Sequence, residues 1–105
     1  MKEVTVQELK QLIDSKADFQ LIDVREEHEY DTCNIKGELI PMSEVPYNTD
    51  KIRKEGQVII HCGSGNRSKQ IIQFLEKNFQ YTNLYNLQGG IKAWAAEIDP
   101  EMSTS

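Results

Sequence analysis

The stretch QVIIHCGSGNRS, from Gln57 to Ser68, decides the fold class of this chain. Its β-branched run QVIIH is too continuous for a sheet with one solvated face, so it predicts a central parallel strand buried on both faces. The two glycines that follow predict a loop, and the segment KQIIQFLEKNF at 69–79 repeats apolar residues on one helical face. Strand, loop and helix in this order predict a βα unit with Cys62 at the carboxyl end of the strand.

Three further apolar runs have the length and the flanking residues of strands. FQLIDV at 19–24 predicts a strand that ends near Asp23, and the run at 84–87 predicts the last strand. The pair at 39–40 predicts a brief strand, because the Pro41 that follows cannot continue a central ladder. Strands that alternate with helical segments are typical of an α/β domain with a mainly parallel sheet.

The helices between these strands are predicted from apolar periodicity and from end signals. Thr5 and Glu8 have the spacing of a capping box, in which each side chain caps the backbone N–H of the other residue. Gly56 is expected to close a short helix. The predicted helices cover about 6–15, 25–30, 51–54, 69–79 and 89–98.

Length and composition predict one domain over residues 1–100 and a flexible tail over 101–105. The net charge of -5 argues against nucleic acid as a partner, since binding to phosphates needs clustered Lys and Arg. No apolar stretch has the length of a membrane span, and we expect a cytoplasmic protein without a leader segment. The cysteines lack the spacing of a zinc site, so no metal is expected.

The topology nominates Cys62 as the reactive group, because ligands of open α/β sheets bind beyond the carboxyl ends of strands. Gly63 and Gly65 can take positive φ, which lets successive backbone N–H groups turn towards the sulfur. These donors and the positive end of the next helix favour a thiolate. The same loop could hold a persulfide, provided that the amides turn inward and that solvent can reach the sulfur. The alternative is an inert buried thiol beside a tight turn.

Other polar residues near this loop have less specific roles. Arg67 could offset the charge of a thiolate or substrate, but we expect it rather to bond loop carbonyls and fix the loop's shape. Ser64 and Ser68 could donate hydroxyl protons to the sulfur, although Ser68 also suits a helix cap. His61 should point away from Cys62, because side chains alternate along a strand. Cys33 could resolve a persulfide by forming a disulfide with Cys62, and this alternative stays open.

The sequence resembles the rhodanese family nearly from end to end. The resemblance implies a three-layer α/β fold, with a five-stranded, mainly parallel sheet and helices on both faces, and no cofactor. The stretches that carry the resemblance are LIDVREEHEY at 21–30, NIKGELIP at 34–41, VIIHCGSGNRS at 58–68 and LQGGIKAW at 87–94.

The resemblance also implies roles for particular residues. Cys62 would be the nucleophile that carries the persulfide, in an active loop formed by Cys62, Gly63, Ser64, Gly65, Asn66, Arg67 and Ser68. Asp23 and Arg25 would form a structural ion pair near the site, and the Gly89–Gly90 turn would pack close by. The sulfur donor would be thiosulfate or a persulfide. The acceptor would be a thiol or cyanide, with a sulfur-carrier or thioredoxin-like protein as a further partner.

Two departures from the family pattern and two rival functions remain. Gly63 stands where members that use thiosulfate often carry a basic or bulkier residue, and CNIKGELIP lacks the family's GHIPGA form.

Rhodanese-like phosphatases and arsenate reductases also use a cysteine in an anion cradle. Their signature places five residues between Cys and Arg, whereas four separate Cys62 from Arg67. A non-catalytic sulfur-relay or interaction module is the other rival.

Overall fold

A single five-stranded sheet organises the computed structural model, which describes residues 1–103. All four neighbouring strand pairs are parallel, and the strand order is β1-β5-β4-β2-β3. The central position of β4 confirms the prediction from its β-branched run. The strands are β1 (Glu3–Val4), β2 (Phe19–Asp23), β3 (Glu38–Leu39), β4 (Gln57–His61) and β5 (Leu84–Leu87).

Four α-helices cover the sheet within the described residues. The predicted capping box is present: the Glu8 N–H donates to Thr5 Oγ1 over 3.1 Å, and the Thr5 N–H donates to Glu8 Oε1 over 2.9 Å. The helices are α1 (Val6–Asp14), α2 (Glu27–Thr32), α3 (Asn66–Phe79) and α4 (Gly90–Glu97).

Helices lie on both faces of the sheet, as expected for three layers. On one face, α3 packs its buried residues Ile71, Ile72 and Leu75 against Val58 and Ile60 of β4. On the other face, α1 and α4 pack against the opposite side of the same strand. Cys62 continues the alternation of Val58 and Ile60, so its side chain belongs to the α3 face.

Three helices differ from the predictions, and one of them is α3, which begins at Asn66 and not at residue 69. The helix expected at 51–54 is absent, and two 3₁₀ helices, Met42–Tyr47 and Thr49–Lys51, precede this segment instead. The second 3₁₀ helix ends where the Ile52 N–H donates to Thr49 O over 3.0 Å, and Ile52 itself is extended. The Tyr81 hydroxyl lies 3.0 Å from Thr49 O and 2.9 Å from Ile52 O, so it holds this turn. The α2 helix begins at Glu27, two residues later than predicted, because Glu26 is extended and acts as its N-terminal cap.

The last described residues pack against the domain. Met102 packs against the core on the α1 and α4 face, and its N–H bonds Asp99 O at 3.0 Å. The flexible tail expected at 101–105 stays a prediction, and residues 104 and 105 lie outside the described part of the chain. No helix within residues 1–103 has the length and apolar character needed to cross a membrane.

Candidate active site

The loop after β4 turns its backbone amides towards the sulfur of Cys62. The Gly65 N–H donates to Cys62 Sγ over 3.1 Å, and the Ser68 N–H donates over 3.4 Å. The Ser68 hydroxyl lies 3.5 Å from the same sulfur. Gly65 has a φ of +105°, a conformation that side chains rarely adopt, and this geometry brings its N–H inward. The inward amides that the sequence predicts are therefore present.

Burial and hydrogen bonding oppose each other at the Cys62 thiol. Burial raises the pKa of Cys62, but hydrogen bonds available from Ser68, Gly65 and Ser64 outweigh it and bring the pKa below its ordinary value. Only 1% of Cys62 is exposed, so the sulfur lies below the surface of the loop. Ser64 and Asn66, which are exposed, form the outer side of the loop. The sequence-based hypothesis needs solvent to reach the sulfur, and the thiol is more enclosed than this hypothesis expects.

The start of α4 holds the base of the loop. The Ile91 N–H donates to Cys62 O over 2.9 Å, and the Lys92 N–H donates to Gly63 O over 3.0 Å. A Cβ atom on Gly90 would lie 2.6 Å from Cys62 O and 2.5 Å from Gly63 O. Such distances are too short for any side chain, so only glycine allows this approach. The Gly89–Gly90 turn therefore packs against the loop, as the resemblance implies.

A buried ion pair lies at the end of β2. Asp23 and Arg25 bond through Arg25 Nη2 and Asp23 Oδ2 at 2.8 Å and through Arg25 Nε and Asp23 Oδ1 at 3.0 Å. Burial lowers the pKa of Arg25, but its bonds to Asp23 outweigh this and raise the pKa. Arg25 Nη2 also donates to Cys33 O over 2.8 Å, which ties β2 to the end of α2. The ion pair expected here is present, and its bonds fix the backbone beside the loop.

His61 lies beside this ion pair and not beside the sulfur. Its Nε2 is 3.6 Å from Asp23 Oδ2 and has no hydrogen-bond partner in the structure, although the ring is completely buried. Burial lowers the pKa of His61 more than Asp23 raises it, which favours the neutral ring. His61 thus points away from the Cys62 side chain, as strand alternation predicts.

Arg67 bonds a carboxylate and not the loop carbonyls that were expected, so this prediction is wrong. Arg67 forms a two-point bond with the carboxylate of Glu29 on α2, at 2.7 Å from Nη1 and 2.9 Å from Nη2. No hydrogen bond joins its guanidinium to a loop carbonyl among the described residues. A planar guanidinium matches the two oxygens of a carboxylate better than single carbonyls, which explains the choice. This bond lowers the pKa of Glu29 to about 2.

Ser68 and Cys33 also differ from the simplest expectations. Ser68 is no helix cap, because α3 begins at Asn66 with Gly65 as its N-terminal cap. Both cysteines are free thiols. Cys33 packs with the core on the α1 and α4 face, whereas Cys62 packs on the α3 face. The structure therefore does not bring the two side chains together.

The sequence-based hypothesis missed three residues that bond the loop or its helix. Glu29 bonds Arg67, and the buried Asn86 on β5 bonds the Ser68 hydroxyl through its Oδ1. Asn86 in turn donates to Glu3 Oε2 over 2.9 Å. An asparagine inside a run of strand residues was the one available signal, since a buried amide needs partners.

A model of the rhodanese-like domain matches residues 5–97 of this chain. The chain belongs to the rhodanese family. It is 40% identical over 80 residues to the uncharacterized protein YqhL of Bacillus subtilis, covering 75% of this chain and 63% of YqhL. It is 34% identical over 96 residues to a protein of Allochromatium vinosum named sulfurtransferase, covering 90% of this chain and 89% of that protein.

Larger relatives and solved structures also contain a similar rhodanese domain. The adenylyltransferase and sulfurtransferase MOCS3 of Aedes aegypti is 31% identical over 108 residues, but this rhodanese spans only 25% of its length. A crystal structure of a rhodanese-like domain protein from Staphylococcus aureus matches with a TM-score of 0.82 and 30% identity, covering 100% of this chain and 99% of that one. Family and relatives together support sulfur transfer as the general class of function.

A cleft of about 580 Å³ adjoins the active loop of this rhodanese. Most of its lining is apolar, and Arg67 is one of its polar lining residues. Within residues 1–103, no group of three or more His, Cys, Asp or Glu side chains is arranged to hold a metal ion. The apolar residues that line the cleft are Val24, Met42, Pro46, Ile71 and Phe74.

Proposed function

We propose that this rhodanese is a sulfurtransferase that carries sulfane sulfur on Cys62 as a persulfide. The observation that supports this most directly is the pair of backbone N–H groups, from Gly65 and Ser68, that point at Cys62 Sγ. Donors fixed around one sulfur stabilise negative charge there without having to reorganise. The thiolate is the nucleophilic form of cysteine, so the same donors make it available near neutral pH.

The transfer takes place in two displacements. The Cys62 thiolate attacks the outer sulfur of a donor, an S–S bond to Cys62 forms, and the S–S bond within the donor breaks. The donor leaves with the electron pair, as a thiolate from a persulfide or as sulfite from thiosulfate. A thiolate or cyanide acceptor then attacks the terminal sulfur, and Cys62 leaves as the thiolate. Each step moves one neutral sulfur atom, so no outside oxidant or reductant is needed.

The enclosure of Cys62 places a condition on this reaction. The residue is 1% exposed, so a donor makes contact with the sulfur only when the outer side of the loop moves. Ser64 and Asn66 form that exposed side, and they carry none of the hydrogen bonds that hold the base of the loop. We therefore place the opening at the exposed side chains of Ser64 and Asn66, while the Gly65 N–H keeps its bond to Cys62 Sγ and α4 keeps its bonds to the loop base.

The partners proposed for this rhodanese follow from its relatives. MOCS3, in which a similar domain occupies about a quarter of the chain, is named as both an adenylyltransferase and a sulfurtransferase. A protein that passes sulfur within a relay, such as a sulfur carrier or a thioredoxin-like protein, is accordingly proposed as donor or acceptor. The cytoplasm is the compartment proposed, because a reducing environment keeps the Cys62 thiol available as a nucleophile.

Intact mass spectrometry tests the covalent intermediate. The protein is incubated with thiosulfate or with glutathione persulfide, desalted and weighed without reductant. We expect a gain of about 32 Da, the mass of one sulfur atom, which a later addition of cyanide removes. The gain should persist in Cys33→Ser and vanish in Cys62→Ser. A gain that survives in Cys62→Ser, or no gain with either donor, would refute the proposal.

A further inference from the structure

A chain of polar contacts leads from the Cys62 sulfur to the edge of the sheet. Cys62 Sγ lies 3.5 Å from Ser68 Oγ, and the Ser68 hydroxyl bonds Asn86 Oδ1. Asn86 Nδ2 donates to Glu3 Oε2 over 2.9 Å. Ser68 and Asn86 are both completely buried, so water cannot replace the bond between them, whereas Glu3 lies at the surface. Four residues on four different segments therefore share one network.

Glu3 fixes the direction of the hydrogen bonds in this network. A carboxylate only accepts hydrogen bonds, so Asn86 must present its NH₂ group to Glu3 and its carbonyl oxygen to Ser68. That oxygen is also an acceptor only, and the Ser68 hydroxyl has a single proton to give. The other oxygen near this hydroxyl is Gly65 O, at 3.1 Å, and it too can only accept.

The direction of the Ser68 hydroxyl proton affects the ionisation of Cys62. While the Ser68 proton points at Asn86, the side of Ser68 Oγ that faces Cys62 carries lone pairs. Lone pairs suit a neutral S–H group and oppose a thiolate. When the sulfur is negative, the hydroxyl must turn from Asn86 to Cys62, and the bond to Asn86 is lost.

We propose that Glu3 is a positioning residue that acts through Asn86 to hold the Ser68 proton away from Cys62 and so limits the thiolate fraction. If the Glu3 carboxylate is removed, the Asn86 amide can turn over and donate to Ser68 Oγ, and the Ser68 proton is then free for the sulfur. The inference rests on the proposed function only in taking Cys62 as the reacting group. Ionisation is measured on the unloaded thiol, so it succeeds or fails separately from the persulfide test.

Other charged groups surround Cys62 and must be separated from this effect. Glu3 itself is negative and lies 4.0 Å from Lys69, so its removal also changes the local charge. The loss of this negative charge alone would favour the thiolate, because it removes Coulomb repulsion. The remaining charged or titratable groups on neighbouring elements are Arg67 with Glu29, Asp23 with Arg25, His61, and the exposed Lys92.

Matched substitutions at Glu3 separate the two explanations. Glu3→Met removes both the charge and the acceptor, whereas Glu3→Gln removes the charge but keeps an acceptor oxygen for Asn86. The pKa of Cys62 is measured in a Cys33→Ser background from the ultraviolet absorbance of the thiolate against pH. We expect Glu3→Met to lower this pKa by about one unit, a tenfold rise in the thiolate-to-thiol ratio, and Glu3→Gln to lower it far less. Glu76→Gln, which changes an exposed carboxylate on α3, should leave the pKa unchanged.

A double-mutant cycle then tests the route through Ser68. In a Ser68→Ala background, Glu3→Met should no longer lower the pKa of Cys62, because no hydroxyl proton remains to be redirected. The proposal is overturned if Glu3→Met has no effect, if Glu3→Gln has an equal effect, or if the shift survives in Ser68→Ala. Should Ser68→Ala fail to fold, as judged by circular dichroism, the comparison of the two Glu3 variants alone decides.

Discussion

The guanidinium of Arg67 and the carboxylate of Glu29 form a two-point ion pair, with N–O distances of 2.7 and 2.9 Å. Arg67 belongs to the first turn of α3 and Glu29 to α2, so the pair joins these two helices. It also keeps a positive charge close to Cys62, which stabilises the thiolate.

The two partners of this ion pair should affect the thiol in opposite ways. Arg67→Gln removes the positive charge, so we expect the pKa of Cys62 to rise and alkylation by iodoacetamide at pH 7 to slow. Glu29→Gln keeps Arg67 and removes its neutralising partner, so the pKa of Cys62 should stay the same or fall. The pH dependence of the alkylation rate measures both. A rise in the pKa of Cys62 in Glu29→Gln would contradict the electrostatic role of Arg67.

The same pair should contribute to stability in a defined pH window. The bond to Arg67 lowers the pKa of Glu29 from its ordinary value of 4.5 to about 2. Its stabilising contribution is therefore fully present above about pH 4.5 and is lost as the pH falls through 2. We expect wild type to exceed Glu29→Gln in urea midpoint at pH 6 and the difference to shrink steadily below pH 4.5. A difference that does not change between pH 6 and pH 2 would show that the ion pair is not its source.

Gly90 should be far less tolerant of alanine than Gly56. Both have positive φ, +62° at Gly90 and +78° at Gly56, so each alanine variant bears a backbone cost of about 1 to 2 kcal/mol. A Cβ at Gly56 meets nothing within 4 Å, whereas at Gly90 it would lie 2.5 Å from Gly63 O. Gly90→Ala should therefore lose a further ~1 to 3 kcal/mol of unfolding free energy and lower the rate of sulfur transfer. Equal urea midpoints for the two variants would contradict this.

His61 should stay neutral below the ordinary range of histidine. Burial lowers its pKa below 6.5, while the unfolded chain takes up a proton on this ring near that value. Because the unfolded state binds more protons, the contribution of His61 to stability falls as the pH drops below 6.5. Nuclear magnetic resonance of the ring should place its titration midpoint below 6.5. A midpoint above 6.5 would mean that Asp23 outweighs burial.

Local patterns in the sequence were enough to predict four of the five strands and the active loop, but not the two-residue strand β1 (Glu3–Val4). The continuous run before Cys62 predicts a central strand, and Thr5 with Glu8 predicts the start of α1, because both signals arise from residues close in sequence. The helix predicted at 51–54 was wrong because the conformation of this segment depends on a residue distant in sequence. Its course depends on the Tyr81 hydroxyl, which bonds Thr49 and Ile52 from about 30 residues away.

The partners of the loop could not be predicted from the sequence. Glu29 and Arg67 are 38 residues apart, and Glu3 and Asn86 are 83 apart. Nothing in local periodicity indicates which charged residue on α2 meets which one on α3. Only the order of the strands in the sheet decides such pairs, and that order places the first strand beside the last.

This placement of β1 beside β5 also affects how the protein is made. During synthesis, β2 and β4 can pair as soon as residue 61 has left the ribosome, but β1 waits for residues 84–87 before it finds its neighbour. Contacts between such distant parts of a chain form late in folding. The nascent domain therefore contains Cys62 before Asn86 and Glu3 can meet, and the thiol acquires its complete set of neighbours only after residues 84–87 have been translated.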